Sequence, residues 1–194
     1  MNPETVHKLA GALIVIFVAV ALSKEMGRWR GAWQQYILPV GAMSVGLFLV
    51  LDPIVFHGGD FGAEGRQHQL QGGLFLAVGA IELARCRGKL KRRAFGAVLP
   101  LAIVVVGMLF IVHTQHGGGD MALQMVQHRI LGTTLILTGV VKGLDGLGSA
   151  KGNWAAVGWL LLLLAVALQL FLYVEGVNEA HGGSAPKDRA HGAH

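Results

Sequence analysis

The sequence predicts an all-α membrane protein with six transmembrane helices, built as three repeated helical hairpins. More than half of the 194 residues are apolar and only 14% are charged, against roughly 25% in soluble domains. The charges stand in short segments between apolar runs of the length, about 20 residues, that a helix needs to cross a bilayer. A sequence pattern also recurs every 60 residues or so, which is typical of a repeated structural unit.

Composition also limits the kinds of partner and site. The formal net charge of +5 and the isoelectric point near 9.7 would suit a nucleic-acid partner, but the basic residues lie where cytoplasmic membrane loops place them. We therefore expect the lipid bilayer, and no nucleic acid, as the main partner. The single cysteine, Cys86, excludes an internal disulfide and any metal cluster built from several cysteines.

The first apolar run covers about residues 6–23. Its end contains Ala19-Val20-Ala21, which resembles the cleavage site of a signal peptide. However, Lys24 and further basic residues follow the run, and positive charge stays on the cytoplasmic side of a membrane. We therefore expect this run to remain in the protein as a helix whose N-terminus lies outside.

Positive charge follows the first, third and fifth runs, and it is strongest between residues 85 and 93, where six basic residues stand. The positive-inside rule then puts both termini and the connections rich in His and Gly on the outer face, the periplasmic face of a bacterial inner (cytoplasmic) membrane. We expect a multi-pass domain over 1–175 and a disordered polar tail over 176–194. The five runs after the first cover about residues 33–56, 68–84, 95–112, 123–141 and 154–174.

Three copies of the pattern His-x-(Leu or Ile)-x-Gly open the odd-numbered runs, at His7, His68 and His128. Each copy is followed by its apolar run, a basic segment and a second apolar run that leads to a His-Gly sequence. Each unit is therefore predicted to form one hairpin. If the hairpins pack side by side, the three helices that begin at these histidines start at similar depth in the membrane. The predicted repeats cover about 7–67, 68–127 and 128–182.

The predicted outer face gathers residue types that bind metal ions. His113 and His116 stand three positions apart, so a helix continued through them would put both side chains on one face. Neutral imidazole suits copper and zinc, and a metal-bound histidine usually donates its other ring nitrogen to an oxygen. We therefore predict a copper site, or alternatively a zinc site, with the carboxylates as orienting groups or weak ligands. The predicted ligands are His113, His116, His128, His68, His57, His7, Asp60 and Asp120.

Other interpretations stay open for these side chains. Each histidine taken singly is also explained as a polar cap at the membrane boundary. A b-type haem between His68 and His128 is less favoured. Two-haem carriers need histidines on both faces of the membrane, and the predicted topology places none on the inner face. Asp52, a carboxylate within a span, is either a functional group or the acceptor of a structural hydrogen bond from a neighbouring helix. Glu82 is expected to pair with the arginines that follow it.

The residues around the predicted site resemble a known family. A span start of Gln-His-(Gln or Arg)-(Leu or Ile), a span end of His-x-x-His and a Gly-rich connection are similar to those of bacterial inner-membrane proteins of the copper-resistance protein D group. The likeness covers about residues 39–141 and depends on His68, His113, His116 and His128. It implies periplasm-facing copper handling, in resistance, uptake or delivery. Members of that group have more spans than the six predicted here.

A second hypothesis is a non-catalytic accessory or structural subunit of a larger respiratory or photosynthetic membrane complex, whose histidines hydrogen-bond to a partner or pigment. Under the first hypothesis the expected partner is a periplasmic metallochaperone. An enzyme is not expected, because the sequence contains no nucleophile elbow, phosphate-binding loop or dinucleotide fingerprint. The segment 117–119, Gly-Gly-Gly, lacks the lysine of a phosphate-binding loop.

Overall fold

The computed structural model describes residues 3–28, 31–55, 62–112, 121–146 and 153–174. In these ranges the regular structure is entirely helical, which confirms the all-α fold class and the number of long helices. The six α-helices are α1 (Pro3–Glu25), α2 (Ile37–Val55), α3 (Ala63–Cys86), α4 (Val98–Val112), α5 (Met121–Gly146) and α6 (Trp154–Phe171).

A proline stands in the first turn of both α2 and α4, at Pro39 and Pro100. Proline is tolerated there because the first N–H groups of a helix have no partner within it. A short 3-10 helix leads directly into each of these two helices, Ala32–Tyr36 before α2 and Arg93–Ala97 before α4. Each helical stretch therefore begins before its proline, and the proline lies in the first turn of the α-helix without breaking it.

Helices α1 and α3 end in the same way, each at a glycine with a positive φ: Gly27 at 68° and Gly88 at 71°. The residue after each glycine donates its N–H to a carbonyl five positions back, Arg28 to Ser23 at 3.1 Å and Lys89 to Ala84 at 2.9 Å. This is the Schellman arrangement, which favours glycine because side chains crowd the left-handed backbone. Both helices therefore stop just before or within a basic segment.

Four stretches of the described chain are long and apolar enough to cross a membrane: Glu4–Glu25, Ala32–Val55, Arg93–Val112 and Trp154–Phe171. They contain α1, α2, α4 and α6. Helices α3 and α5 do not meet the same criterion, although they are the longest, at 24 and 26 residues. They carry five of the six buried polar or charged side chains of the described residues, namely Gln71, Glu82, Gln124, His128 and Thr138. These side chains lower the helices' hydropathy, yet they lie inside the bundle.

The helices form a closed ring in chain order. Helix α2 packs most extensively against α3, and α4 against α5, while α6 contacts both α5 and α1. Smaller contacts join α1 to α2 and α3 to α4. The main apolar core comes from the inner faces of α3, α4, α5 and α6, and a second cluster around Trp159 and Leu160 joins α6 to α1.

Two pairs of helices approach each other closely through glycines. A Cβ atom on Gly72 of α3 would lie 2.7 Å from the carbonyl oxygen of Gly46 in α2. A Cβ atom on Gly132 of α5 would lie 2.5 Å from the carbonyl oxygen of Gly107 in α4. Only a residue without a side chain lets the backbones come this near, so glycine here serves helix packing.

The same two pairs share a second contact point two helical turns away. A Cβ atom on Gly79 would lie 3.0 Å from the carbonyl oxygen of Pro39, and one on Gly139 would lie 2.7 Å from that of Pro100. Helices α1 and α6 make a similar but less close approach, because a Cβ atom on Gly11 would lie 3.0 Å from the carbonyl oxygen of Ala167. The α2–α3 and α4–α5 pairs therefore meet in the same register along the sequence.

Candidate functional site

The first feature of the candidate site is a hydrogen bond between α2 and α3. Asp52, in the last turn and a half of α2, is only 1% exposed, and its Oδ2 lies 2.5 Å from Nδ1 of His68. A carboxylate accepts from the ring N–H, which leaves Nε2 of a neutral His68 as the nitrogen with the lone pair. Of the two roles open to Asp52 in the sequence, the structure therefore contains the hydrogen bond to a neighbouring helix.

The second feature is His128 in the second turn of α5, which is 7% exposed. Its Nδ1 lies 2.8 Å from the backbone carbonyl oxygen of Gln124, one turn earlier. A carbonyl only accepts, so Nδ1 carries the hydrogen and Nε2 carries the lone pair of the neutral ring. His68 and His128 thus have the same tautomer, each fixed by an oxygen on Nδ1, which is the pattern usual for a metal-bound histidine.

Around His128 stands a group of rings, called the aromatic cluster and formed by His7, Phe110, His128 and Tyr173. His7 stacks on Tyr173 with centroids 3.9 Å apart, and His128 meets Tyr173 edge-on at 5.5 Å. The rings of His7 and His128 lie 6.3 Å apart at 87°. Phe110 of α4 covers His128 at 5.6 Å. The cluster joins the start of α1, the end of α4, the start of α5 and the segment after α6.

Gln127 holds that last segment in place. Its side-chain amide donates to the carbonyl oxygen of Val174 at 2.8 Å and accepts from the N–H of Val174 at 3.1 Å. This paired contact acts like a bridge between two strands and fixes the backbone beside Tyr173. The Gln-His pair singled out in the sequence therefore has divided roles, since Gln127 positions the chain and His128 faces the rings.

The described residues include three of the predicted metal ligands. His7 and His128 are brought together in the aromatic cluster, whereas His68 is bound to Asp52. Among the residues that the structure describes, no three His, Cys, Asp or Glu side chains gather closely enough to hold a metal ion. The other predicted ligands, His57, Asp60, His113, His116 and Asp120, lie outside the described residues.

The predicted pairing of Glu82 is confirmed at the other end of α3. Both carboxylate oxygens of Glu82 lie 2.7 Å from Nη1 of Arg85, one turn later. On α5, Lys142 binds Asp145 at 2.7 Å in the same way. His68 and Arg85 stand about 26 Å apart along α3, at a rise of about 1.5 Å per residue, so His68 and the Glu82–Arg85 pair occupy opposite ends of the helix.

A cavity of about 140 Å³ lies in the middle of the ring, lined by side chains from all six helices. Its wall is almost wholly aliphatic and aromatic, and the polar residues that line it are His7, His68 and Gln71. Gln71 is 1% exposed, and its side-chain Nε2 has no hydrogen-bond partner within the described residues. Sequence reasoning missed Gln71, although a glutamine one turn after His68 and inside an apolar run was a usable signal.

Comparison with known proteins gave no match: no family model fits this chain, and neither a curated protein nor a solved structure is significantly similar to it. The likeness to the copper-resistance protein D group therefore stays a prediction that depends on the four histidines named for it.

Proposed function

We propose that this chain is a six-span protein of a bacterial inner membrane that binds a copper-like ion at its periplasmic end, in copper resistance, uptake or delivery. The proposal has two parts: the membrane topology, and a histidine site at the end of the bundle where α1, α3 and α5 begin.

Helices α3 and α5 are proposed as the fifth and sixth spans beside the four apolar ones. At about 1.5 Å per residue they are about 36 and 39 Å long, which exceeds the roughly 30 Å of a bilayer's hydrocarbon core. Their buried polar side chains point away from lipid, as intramembrane polar groups do. The close approaches of α3 to α2 and of α5 to α4 keep each of them beside an apolar span.

Labelling of single cysteines tests this topology. In a Cys86→Ala background, Gly62→Cys and Lys89→Cys flank α3, and Ala122→Cys and Leu144→Cys lie near the two ends of α5. We expect a membrane-impermeant maleimide to label residues 62 and 122 in intact spheroplasts, and residues 89 and 144 only after the membrane is opened. Equal labelling of the positions at the two ends of either helix would contradict the proposed span.

The observation that supports the metal site is the shared register of the two helix pairs. Asp52 stands six residues after Gly46, and His68 stands four residues before Gly72. His113 and His128 stand at the corresponding distances from Gly107 and Gly132. These glycines meet in the same way in both helix pairs. We therefore propose that His128 of α5 pairs with His113 in the position where His68 of α3 pairs with Asp52.

An imidazole pair in place of an imidazole and a carboxylate is a suitable start for a copper or zinc site. The hydrogen bond from Nδ1 of His128 to the carbonyl oxygen of Gln124 fixes the tautomer and would orient the ring. We propose His113 and His116 as the chelating pair, with His128 as the third ligand. Asp60 and Asp120 remain proposed as orienting groups or weak ligands.

Metal analysis of the purified protein tests the site. We expect the wild type to retain copper near one ion per chain, and His113→Ala/His116→Ala to bind it more weakly by at least about tenfold. His191→Ala/His194→Ala, in the polar tail, is the matched control and should keep the ion. Unchanged copper in the first variant would reject this site. A metal-free protein that co-purifies with a large complex would favour the accessory-subunit hypothesis instead.

A further inference from the structure

We propose that the central cavity binds a small, lipid-soluble ring compound that presents a carbonyl oxygen to the side-chain amide of Gln71. This site is independent of the proposed metal site, because Gln71, which decides what binds, is not one of the three proposed copper ligands.

The shape and chemistry of the cavity select the apolar part of the ligand. A dry cavity of about 150 Å³ lined by aliphatic and aromatic side chains is large enough for a single benzene-sized ring, and this one measures about 140 Å³. No Asp, Glu, Lys or Arg of the described chain lines it, so a charged ligand would lose its hydration without gaining a counter-ion. The ligand is therefore neutral and ring-sized.

Gln71 selects the polar part of the ligand. Its Nε2 is a buried donor without a partner within the described residues, and a buried donor left unpaired costs more than a made hydrogen bond returns. A plain hydrocarbon would fill the cavity but leave this donor unpaired. A single water could bind at the polar end but would leave the apolar remainder empty. Further waters would not fill that remainder, because a buried water needs two to four polar partners. A ring that carries a carbonyl group satisfies both ends.

His68 gives the polar end a second feature. It lines the cavity three residues before Gln71 on the same helix face, and its Nδ1 is held by Asp52. The acceptor of the neutral His68 ring is therefore Nε2, whereas the unpaired group of Gln71 is a donor. A ketone or quinone-type carbonyl takes the donor directly, which makes Gln71 the residue that decides specificity.

Two probes of nearly equal shape test the proposal: 4-fluoroacetophenone, which has the carbonyl, and 4-fluorocumene, in which an isopropyl group replaces the acetyl group. Their binding to the full-length protein in lipid nanodiscs is followed by fluorine NMR, with empty nanodiscs used to correct for partition into lipid. We expect the wild type to bind the ketone about three- to ten-fold more tightly than the hydrocarbon, the factor that one neutral hydrogen bond gives.

Gln71→Met keeps the length of the side chain and removes the donor, so the preference for the ketone should disappear while both compounds still bind. Gln69→Leu, on the same helix but outside the cavity wall, is the matched control and should keep the preference. Ala42→Phe fills the cavity from α2 and should abolish binding of both compounds, which gives a second route if Gln71→Met does not fold.

Equal binding of the two probes to the wild type, a preference retained in Gln71→Met, binding retained in Ala42→Phe, or no binding of either probe would each overturn the proposal. Copper content measured on the same Gln71→Met sample should equal that of the wild type, so the fate of this site is read independently of the metal site.

Discussion

Replacing Gly72 with alanine is expected to destabilise the bundle by about 1–3 kcal/mol, whereas the same change at its neighbour Gly73 is not. A Cβ atom at position 72 would meet the carbonyl oxygen of Gly46 at 2.7 Å and the backbone nitrogen of Val50 at 2.8 Å. These are backbone atoms, so α2 and α3 would have to move apart. A Cβ atom at Gly73 meets nothing within 4 Å, and alanine there gains up to about 1 kcal/mol of helix propensity.

Thermal unfolding of the two purified variants in one detergent measures this difference. We expect Gly72→Ala to melt several degrees below the wild type and Gly73→Ala to melt at or slightly above it. Gly132→Ala should behave like Gly72→Ala, because its Cβ atom would lie 2.5 Å from the carbonyl oxygen of Gly107. Equal midpoints for positions 72 and 73 would contradict the close packing of α2 and α3.

The glycines also show what the sequence can and cannot predict about the fold. Apolar runs identify the helices well, since each of the six predicted runs coincides closely with one of the helices α1 to α6. Glycines within the runs are visible in the sequence, but the sequence does not say which helices they join. The closest approaches occur between an even-numbered helix and the next odd-numbered one, across the boundaries of the predicted repeats. That choice depends on which faces meet, a property of the folded bundle.

The candidate site shows the same division. The sequence identifies His7, His68 and His128 as equivalent starts of helices, and it identifies Asp52 as a costly carboxylate. It does not reveal that Asp52 meets His68, because the register of two antiparallel helices is set by where Gly46 touches Gly72. Likewise Tyr173 and Phe110 are ordinary residues of apolar runs in the sequence, and only the folded bundle shows that they lie beside His128.

Replacing His68 with leucine is expected to destabilise the protein by about 3–5 kcal/mol, the largest effect of any single change proposed for the site. The carboxylate of Asp52 is 1% exposed, so the loss of its imidazole partner removes a hydrogen bond from a buried charged group, and leucine cannot replace that bond. Asp52→Leu should cost less, because the His68 side chain is 25% exposed and can turn its polar ring toward water. The two changes together should cost less than His68→Leu alone, since the double variant buries no charge.

A double-mutant cycle in one detergent, with unfolding followed by denaturant or heat, separates these contributions. Gln69→Leu, beside His68 on α3, is the matched control and should change stability by no more than about 0.5 kcal/mol. Additive costs for the two single changes would mean that Asp52 and His68 do not interact, and the hydrogen bond could not be what joins the ends of α2 and α3. A strongly non-additive cycle would instead assign this pair the structural role, and would leave metal binding to the histidine pair that the register predicts between α4 and α5.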